Sequence, residues 1–247
     1  MRRRKRRGAD EKLLSYKDYI INGLINQMVP DNVGRCEEGV FDNRIPVKNE
    51  IYNNIVENYR GKWNQFFDND NPIHIEVGTG RGKFITTLAA KNPNINYIAL
   101  EIKEEVLIRA VEKAEEQNLE NIAFIWGNVE FFEIYFNDNE LSRVYVNFCD
   151  PWPKKRCAKR RLTYRNFLEL YRKKLKKDGE INFKTDNRAL FEFSLNEFSG
   201  NDWKLKNVSL DLLNSDCTDN VTTEYEEKFM ELGMPIYRLE AVDIRNK

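Results

Sequence analysis

A single histidine, His74, stands in the 247 residues of the chain. One imidazole cannot build a two-histidine zinc site or a histidine-rich metal cluster, so no metal is expected. A Ser-His-Asp hydrolase would have to use His74 as its base, yet His74 lies inside the apolar strand pattern Ile73-His74-Ile75-Glu76-Val77, where a packed core histidine is the simpler reading. Cysteine is scarce too. Cys36, Cys149, Cys157 and Cys217 contain no C-x-x-C pair, which fits free thiols in a reducing cytosol better than a disulfide framework. With 7 Pro, 12 Gly, 41% hydrophobic and 12% aromatic residues, the chain is neither collagenous nor of low complexity nor disordered. No apolar run approaches the roughly 18 residues of a membrane span. No apolar stretch follows the basic start to form a signal peptide, so a soluble, cytoplasmic protein is expected. Net charge is absent as well: 40 Lys+Arg balance 40 Asp+Glu, and only the distribution of charge can speak about partners.

What is present is an alternation. After a basic arm over residues 1–45, short β-like runs exchange with amphipathic helical runs to the end of the chain, as in βαβ units. Strands are expected at Ile73 to Val77, Tyr97 to Ile102, Ile122 to Trp126, Arg143 to Cys149 and Glu180 to Lys184, with two more at Trp203 to Leu210 and Ile236 to Ile244. The spacing predicts helices over Lys103 to Gln117, Thr163 to Lys177 and Asn187 to Phe198, with Gly179 a C-cap for the second. One doubly wound α/β domain over 46–247, preceded by the arm, is the economical architecture.

Glu76-Val77-Gly78-Thr79-Gly80-Arg81-Gly82 closes the first of these strands and opens a helix, where an open α/β sheet holds its ligand. Such a turn can exist for packing alone. Its spacing is G-x-G-x-G rather than the dinucleotide G-x-G-x-x-G, and Glu76 immediately upstream would repel a pyrophosphate. Gly78 and Gly80 allow close backbone approach, and a carboxylate at Glu76 attracts a ligand bearing ammonium and sulfonium, as in S-adenosylmethionine (SAM). Glu101 closes the next strand, where a carboxylate can accept from both ribose hydroxyls; Asn128 follows the third, facing an adenine edge or serving as an ordinary N-cap; Asp150 ends the fourth.

From Asn147 the chain reads N-F-C-D-P-W-P-K-K-R-C-A-K-R-R-L, with six Lys/Arg between Pro153 and Arg161. From Lys154 to Lys177 twelve basic residues face one acid, Glu169, and Arg2 to Arg7 add a second polybasic segment; a phosphate backbone is the expected partner. Arg172 to Lys177 read equally well as a solvated helix face. Trp152, between two prolines, can stack on a base or pack on its own loop.

D-P-W-P-K-K-R at 150–156, K-R-R-L at 159–162, F-K-T-D-N at 183–187, T-E-Y-E-x-K-F at 223–229 and E-V-G-T-G at 76–80 together resemble the bacterial tRNA (guanine-N7-)-methyltransferase family. The resemblance implies a Rossmann-like class I SAM-dependent methyltransferase fold, a doubly wound, mostly parallel seven-stranded sheet with an antiparallel last strand. It implies SAM contacts at Glu76, Glu101, Asn128 and Asp150, with Asp150 also catalytic. It implies tRNA contacts at Lys154, Asp186, Thr223, Glu224, Tyr225 and Glu226, and a target guanosine in the tRNA variable loop. Asp186 and Glu224 or Glu226 would accept from guanine N1 and its exocyclic amine, although Thr223 with Glu226 is also a capping-box spacing. Cys157 stands where the family has histidine, and Arg81 where lysine is usual. A catalytically silent RNA-binding protein on the same fold, or a methyltransferase for another nucleic-acid target, is the alternative; monomer and homodimer stay open.

Overall fold

The computed structural model describes residues 50–245 and, before them, residues 12, 13, 15, 16 and 19–22; Cys36 and the basic run Arg2 to Arg7 lie outside the described residues. Strands β1 (Ile20–Asn22), β2 (Ile73–Val77), β3 (Asn96–Glu101), β4 (Ile122–Trp126), β5 (Leu141–Asn147), β6 (Leu175–Thr185), β7 (Trp203–Ser209) and β8 (Tyr237–Asp243) form one sheet. Its order is β1-β4-β3-β2-β5-β6-β8-β7. Pairing is parallel from β1 through β6, and β8 runs antiparallel to both its neighbours. Seven of these strands, the antiparallel last one among them, match the expectation. The eighth, β1, pairs Ile20 with Phe124 and Ile21 with Ile125 inside the stretch read as an irregular arm. Three residues in a basic segment carry too little periodicity to be seen; burial of Ile20 and Ile21 against β4 is what orders them.

Helices α1 (Glu50–Asn58), α2 (Trp63–Phe67), α3 (Lys83–Lys91), α4 (Glu104–Glu116), α5 (Phe132–Tyr135), α6 (Arg165–Lys174), α7 (Arg188–Ser199) and α8 (Glu224–Glu231) cover the two faces. The parity of β2 sets which face each covers. Ile73, Ile75 and Val77 join the core that includes Ile55 of α1, Trp63 of α2, Phe132 of α5, Phe167 of α6 and Leu190 of α7. On the opposite face Tyr97 and Ala99 of β3 pack with Phe84 and Ile85 of α3 and Leu107 and Val111 of α4. His74 is a core residue, as expected: its Nδ1 lies 3.2 Å from the Tyr145 hydroxyl, and burial pushes its pKa down to about 3.

One expected boundary moves. Helix α6 stops at Lys174, not Lys177, and Gly179 lies inside β6 rather than capping the helix. The backbone leaves the helix because Leu175 enters the core opposite Leu141, while Asn139 and Glu140 donate their N–H groups to the carbonyls of Lys173 and Lys174. The left-handed turn falls on Asp178, at φ 66°, within the bulge that follows.

Candidate functional site

Chain order reverses between β2 and β5, the position where an open α/β sheet leaves a crevice at its strand ends. A cavity of about 640 Å³ lies there. Its wall is built from the strand ends in turn: Gly78 and Gly80 after β2, Glu101 at the end of β3, Asn128 after β4, and Phe148 to Asp150 after β5.

The three glycines of the loop serve two purposes. At Gly82 a Cβ would sit 2.4 Å from the Cβ of Ala110, so that glycine permits α3 to close on α4. Gly78 and Gly80, at φ 79° and 59°, have open space where a Cβ would stand, and the space is the cavity. The loop is held from below: the N–H groups of Gly78 and Thr79 both donate to the Leu100 carbonyl, and Gly80 N–H donates to Glu101 Oε2 at 3.0 Å. Glu101 Oε1 accepts from the backbone of Ile102 and Lys103, each at 3.0 Å. A carboxylate fixed by three N–H donors is a pre-aimed acceptor for hydroxyls.

Glu76 is placed differently. It is buried at the end of β2, does not line the cavity, and accepts from Thr79 Oγ1 at 2.6 Å and Asn147 Nδ2 at 2.8 Å. Burial pushes its pKa up to about 7, against the opposing pull of those two hydrogen bonds and of Lys184. Asn128 lines the cavity and also caps the 3₁₀ turn Val129–Phe131 by accepting from Glu130 N–H. Asp150 is exposed on the cavity wall. Cys149 beside it is a free thiol whose pKa burial pushes up to about 12.

The loop after Asp150 is tightly braced. Arg161 donates to the carbonyls of Pro151 and Trp152, both at 3.0 Å, and its guanidinium lies 4.2 Å from the Phe193 ring centre. Arg160 covers the Trp152 ring at 4.9 Å, so Trp152 packs on its own loop while still lining the cavity. Lys154, Lys155, Arg156 and Lys159 project to solvent around the 3₁₀ helix Lys155–Arg160, and Cys157 turns inward, away from the cavity.

The residues expected around T-E-Y-E divide. Tyr225 lines the cavity and is 59% exposed. Asp186 is half-buried just past β6, beside Cys149. Glu224 pairs with Lys113 of α4 at 2.6 Å. Thr223 and Glu226 form a capping box at the start of α8, and Glu226, with no exposed surface, accepts from Lys184 Nζ at 2.8 Å and from Asn220. In this structure the Glu226 carboxylate is enclosed by its own fold, where it braces the start of α8 against Lys184 and Asn220. The residues missed in the sequence are Phe148, on the cavity wall, and Lys184, whose ammonium is buried on Asn220, Val221 and Glu226. The available signal for the second was a lysine directly after Phe183, on the strand whose Ile181 and Phe183 are core residues.

The cavity at four acidic or amide-bearing strand ends, on a sheet with one antiparallel strand, is that of a Rossmann-like class I methyltransferase. Solved structures agree on the fold alone: a 16S rRNA methyltransferase KamB matches with a TM-score of 0.56 at 13% identity, covering 75% of this chain and 95% of that one. An antibiotic-related methyltransferase matches at 0.52 and 21%, covering 74% and 92%. The sequence goes further. The family described as "Putative methyltransferase" matches residues 70–239. A protein named tRNA (guanine-N(7)-)-methyltransferase from Clostridioides difficile (strain 630) is 56% identical over 241 residues, 98% of each chain. One of the same name from Geobacillus sp. (strain WCH70) is 55% identical over 184 residues, 74% of this chain and 84% of that one. The chain belongs to the tRNA (guanine-N7-)-methyltransferase family.

Proposed function

We propose that this protein transfers a methyl group from SAM to N7 of a guanosine in the variable loop of tRNA. The observation that carries the reading is one of continuity: the chain that forms the cavity wall at Asp150 and Trp152 continues directly into the exposed cations Lys154, Lys155, Arg156 and Lys159, and returns to the wall at Arg160. A polyanion held by those side chains would be held against the cavity.

The residues present fit the cofactor. Gly78 and Gly80 leave open space for close backbone contact, Glu101 is aimed at ribose hydroxyls, and Asn128 and the adjoining wall can meet the adenine edge. Glu76, behind the loop, is the counter-charge for an ammonium group, whose arrival favours its ionised form. SAM supplies a methyl group on positively charged sulfur. Guanine N7 carries a lone pair and no proton at neutral pH, so it attacks without a general base, and the chain's task is positioning. Asp150 faces the site where the purine gains positive charge and can orient the base and stabilise that charge. Lys154 and its neighbours hold phosphates, with Asp186 and Glu224 at the substrate side.

The test is methyl transfer from labelled SAM to unmodified tRNA transcripts, read by nucleoside mass spectrometry. The product should be 7-methylguanosine, lost when the variable-loop guanosine is replaced. No transfer with tRNA binding retained would replace this reading by a silent RNA-binding scaffold. Asp150→Ala should cut transfer by about 100-fold or more, in the range for removal of one group that stabilises transition-state charge, with SAM affinity reduced only modestly. Normal turnover in that variant would sink the assignment of Asp150.

A further inference from the structure

Asp150 stands between two residues of left-handed backbone. Phe148 before it has φ 49°, and Trp152 after it, directly preceding Pro153, has φ 41°. That region is costly for a bulky side chain, and a residue stays there only where its surroundings leave it no other choice. At Phe148 the surroundings are the sheet and α8: its N–H donates to the Lys184 carbonyl at 2.9 Å, and its ring stacks on Tyr225 at 6.2 Å between centres. At Trp152 the backbone is held by one side chain. The Arg161 guanidinium donates through Nε to the Pro151 carbonyl and through Nη2 to the Trp152 carbonyl, both at 3.0 Å. It is itself seated 4.2 Å from the ring centre of Phe193, on α7.

Arg161 ends the basic run that starts at Lys154, yet it differs from the cations before it. Lys154, Lys155, Arg156 and Lys159 are exposed, whereas Arg161 is half-buried. The cavity wall takes Arg160 and Leu162 on either side of it and leaves Arg161 behind the loop. The partners of its guanidinium are two carbonyls and a ring, not carboxylates. Gripping two adjacent carbonyls at once needs the rigid fork of a guanidinium; an ammonium is a point donor on a flexible stem. The two carbonyls are the first two after Asp150, so a loop released at Trp152 lets the Asp150 carboxylate drift on the cavity wall.

We propose that Arg161 is a positioning residue, the strut that fixes Asp150 for methyl transfer, and not one of the phosphate contacts of the run it ends. This rests on the proposed function, in which Asp150 acts at the cavity wall. A phosphate contact needs charge, which lysine keeps; a strut needs the fork, which lysine lacks. Arg161→Lys should therefore lower kcat about tenfold or more, a misplacement of about 1 Å being enough for a loss of about 100-fold. KM for tRNA and the SAM dissociation constant should stay within about twofold, because the strut acts on the reacting geometry and not on uniform binding. Arg161→Met should lose kcat in the same way and leave the slope of log affinity for tRNA against log salt unchanged. Phe193→Leu, which removes the ring behind the guanidinium without touching a charge, should lower kcat by about threefold, the size of one exposed cation–π contact, and decides the matter if the Arg161 variants do not fold. Fluorotryptophan at Trp152 reads the loop without any reaction: its fluorine NMR resonance, identified by its loss in Trp152→Phe, should move or broaden in Arg161→Lys and stay in place in Lys155→Ala. Parental kcat in Arg161→Lys or in Phe193→Leu, a salt slope shallower by about 1 in Arg161→Met, or an unmoved resonance in Arg161→Lys would overturn the strut. Absence of 7-methylguanosine with the parent protein would instead overturn the reaction, and the fluorine comparison would still decide whether Arg161 holds the loop.

Discussion

The basic segment from Lys154 to Lys177 is uniform in composition and divided in structure. In its first part Lys154, Lys155, Arg156 and Lys159 reach solvent beside the cavity. In its second part Arg172 and Lys174 are only 6% and 2% exposed. Arg172 pairs with Asp243 and Glu169 and lies 4.8 Å from the centre of the Trp203 ring; Lys174 pairs with Asp138 at 2.6 Å. Neither is a solvated helix face nor a phosphate contact. They fasten α6 to β8 and to the turn before β5. A run of like charge in a sequence thus says nothing about which cations are available to a partner. That depends on which of them the fold has already neutralised.

The largest test of this division is Arg172→Met. Removing one member of a buried pair takes the charge partner from Asp243 and should cost about 3–5 kcal/mol of stability in urea unfolding. The salt dependence of tRNA binding should not change, because Arg172 meets no phosphate. A variant of parental stability with a shallower salt slope would reverse the assignment.

Glu76→Gln sharpens the contrast from the acidic side, because Glu76 is buried while the neighbouring cation, Lys184, is already bonded to Glu226. Its pKa is raised on folding, so the folded state holds the proton more tightly. The stabilisation this gives is full below the unfolded value and is lost as pH rises through about 7. Glu76→Gln should therefore gain on the parent as pH goes from 5 to 8, by at most about 3 kcal/mol from the size of the shift. Thermal or urea unfolding of the pair across that range checks it; a constant difference would mean that Glu76 does not titrate there. Comparison with the parent also removes the opposing contribution of His74, whose lowered pKa makes the fold lose stability as pH falls below its ordinary value.

The smallest expected effect belongs to the exposed part. Lys155→Ala should leave unfolding unchanged, weaken all tRNAs alike, and lower the slope of log affinity against log salt by about 1, the signature of one lost phosphate contact. Unaltered slope would place Lys155 outside the RNA footprint.

Much of the site was legible in the chain because strand ends carry their own punctuation. The alternation of apolar runs located β2 to β6, and with them Gly78, Gly80, Glu101, Asn128 and Asp150, all of which line one cavity. The bracing by Glu226 was not legible: T-x-x-E is at once a recognition motif and a capping box, and its burial against Lys184 belongs to the fold alone. Phe148 was hidden for another reason. Its stacking on Tyr225 depends on a backbone conformation and on a ring 77 positions away in sequence, and neither leaves a local pattern.

The sequence by itself determined the parallel sheet, the ligand end of it and the chemistry of the strand ends, because hydrophobic period and glycine placement act over a few residues. The tertiary structure alone decided which charges face a partner and which brace the fold. Ion pairs such as Arg172–Asp243 and Lys184–Glu226 join residues 71 and 42 positions apart, and a cation desolvated in such a pair is withdrawn from any partner. It also decided that Gly82 serves packing while Gly78 and Gly80 face the ligand, since the difference lies in whether Ala110 or open space stands where a Cβ would be.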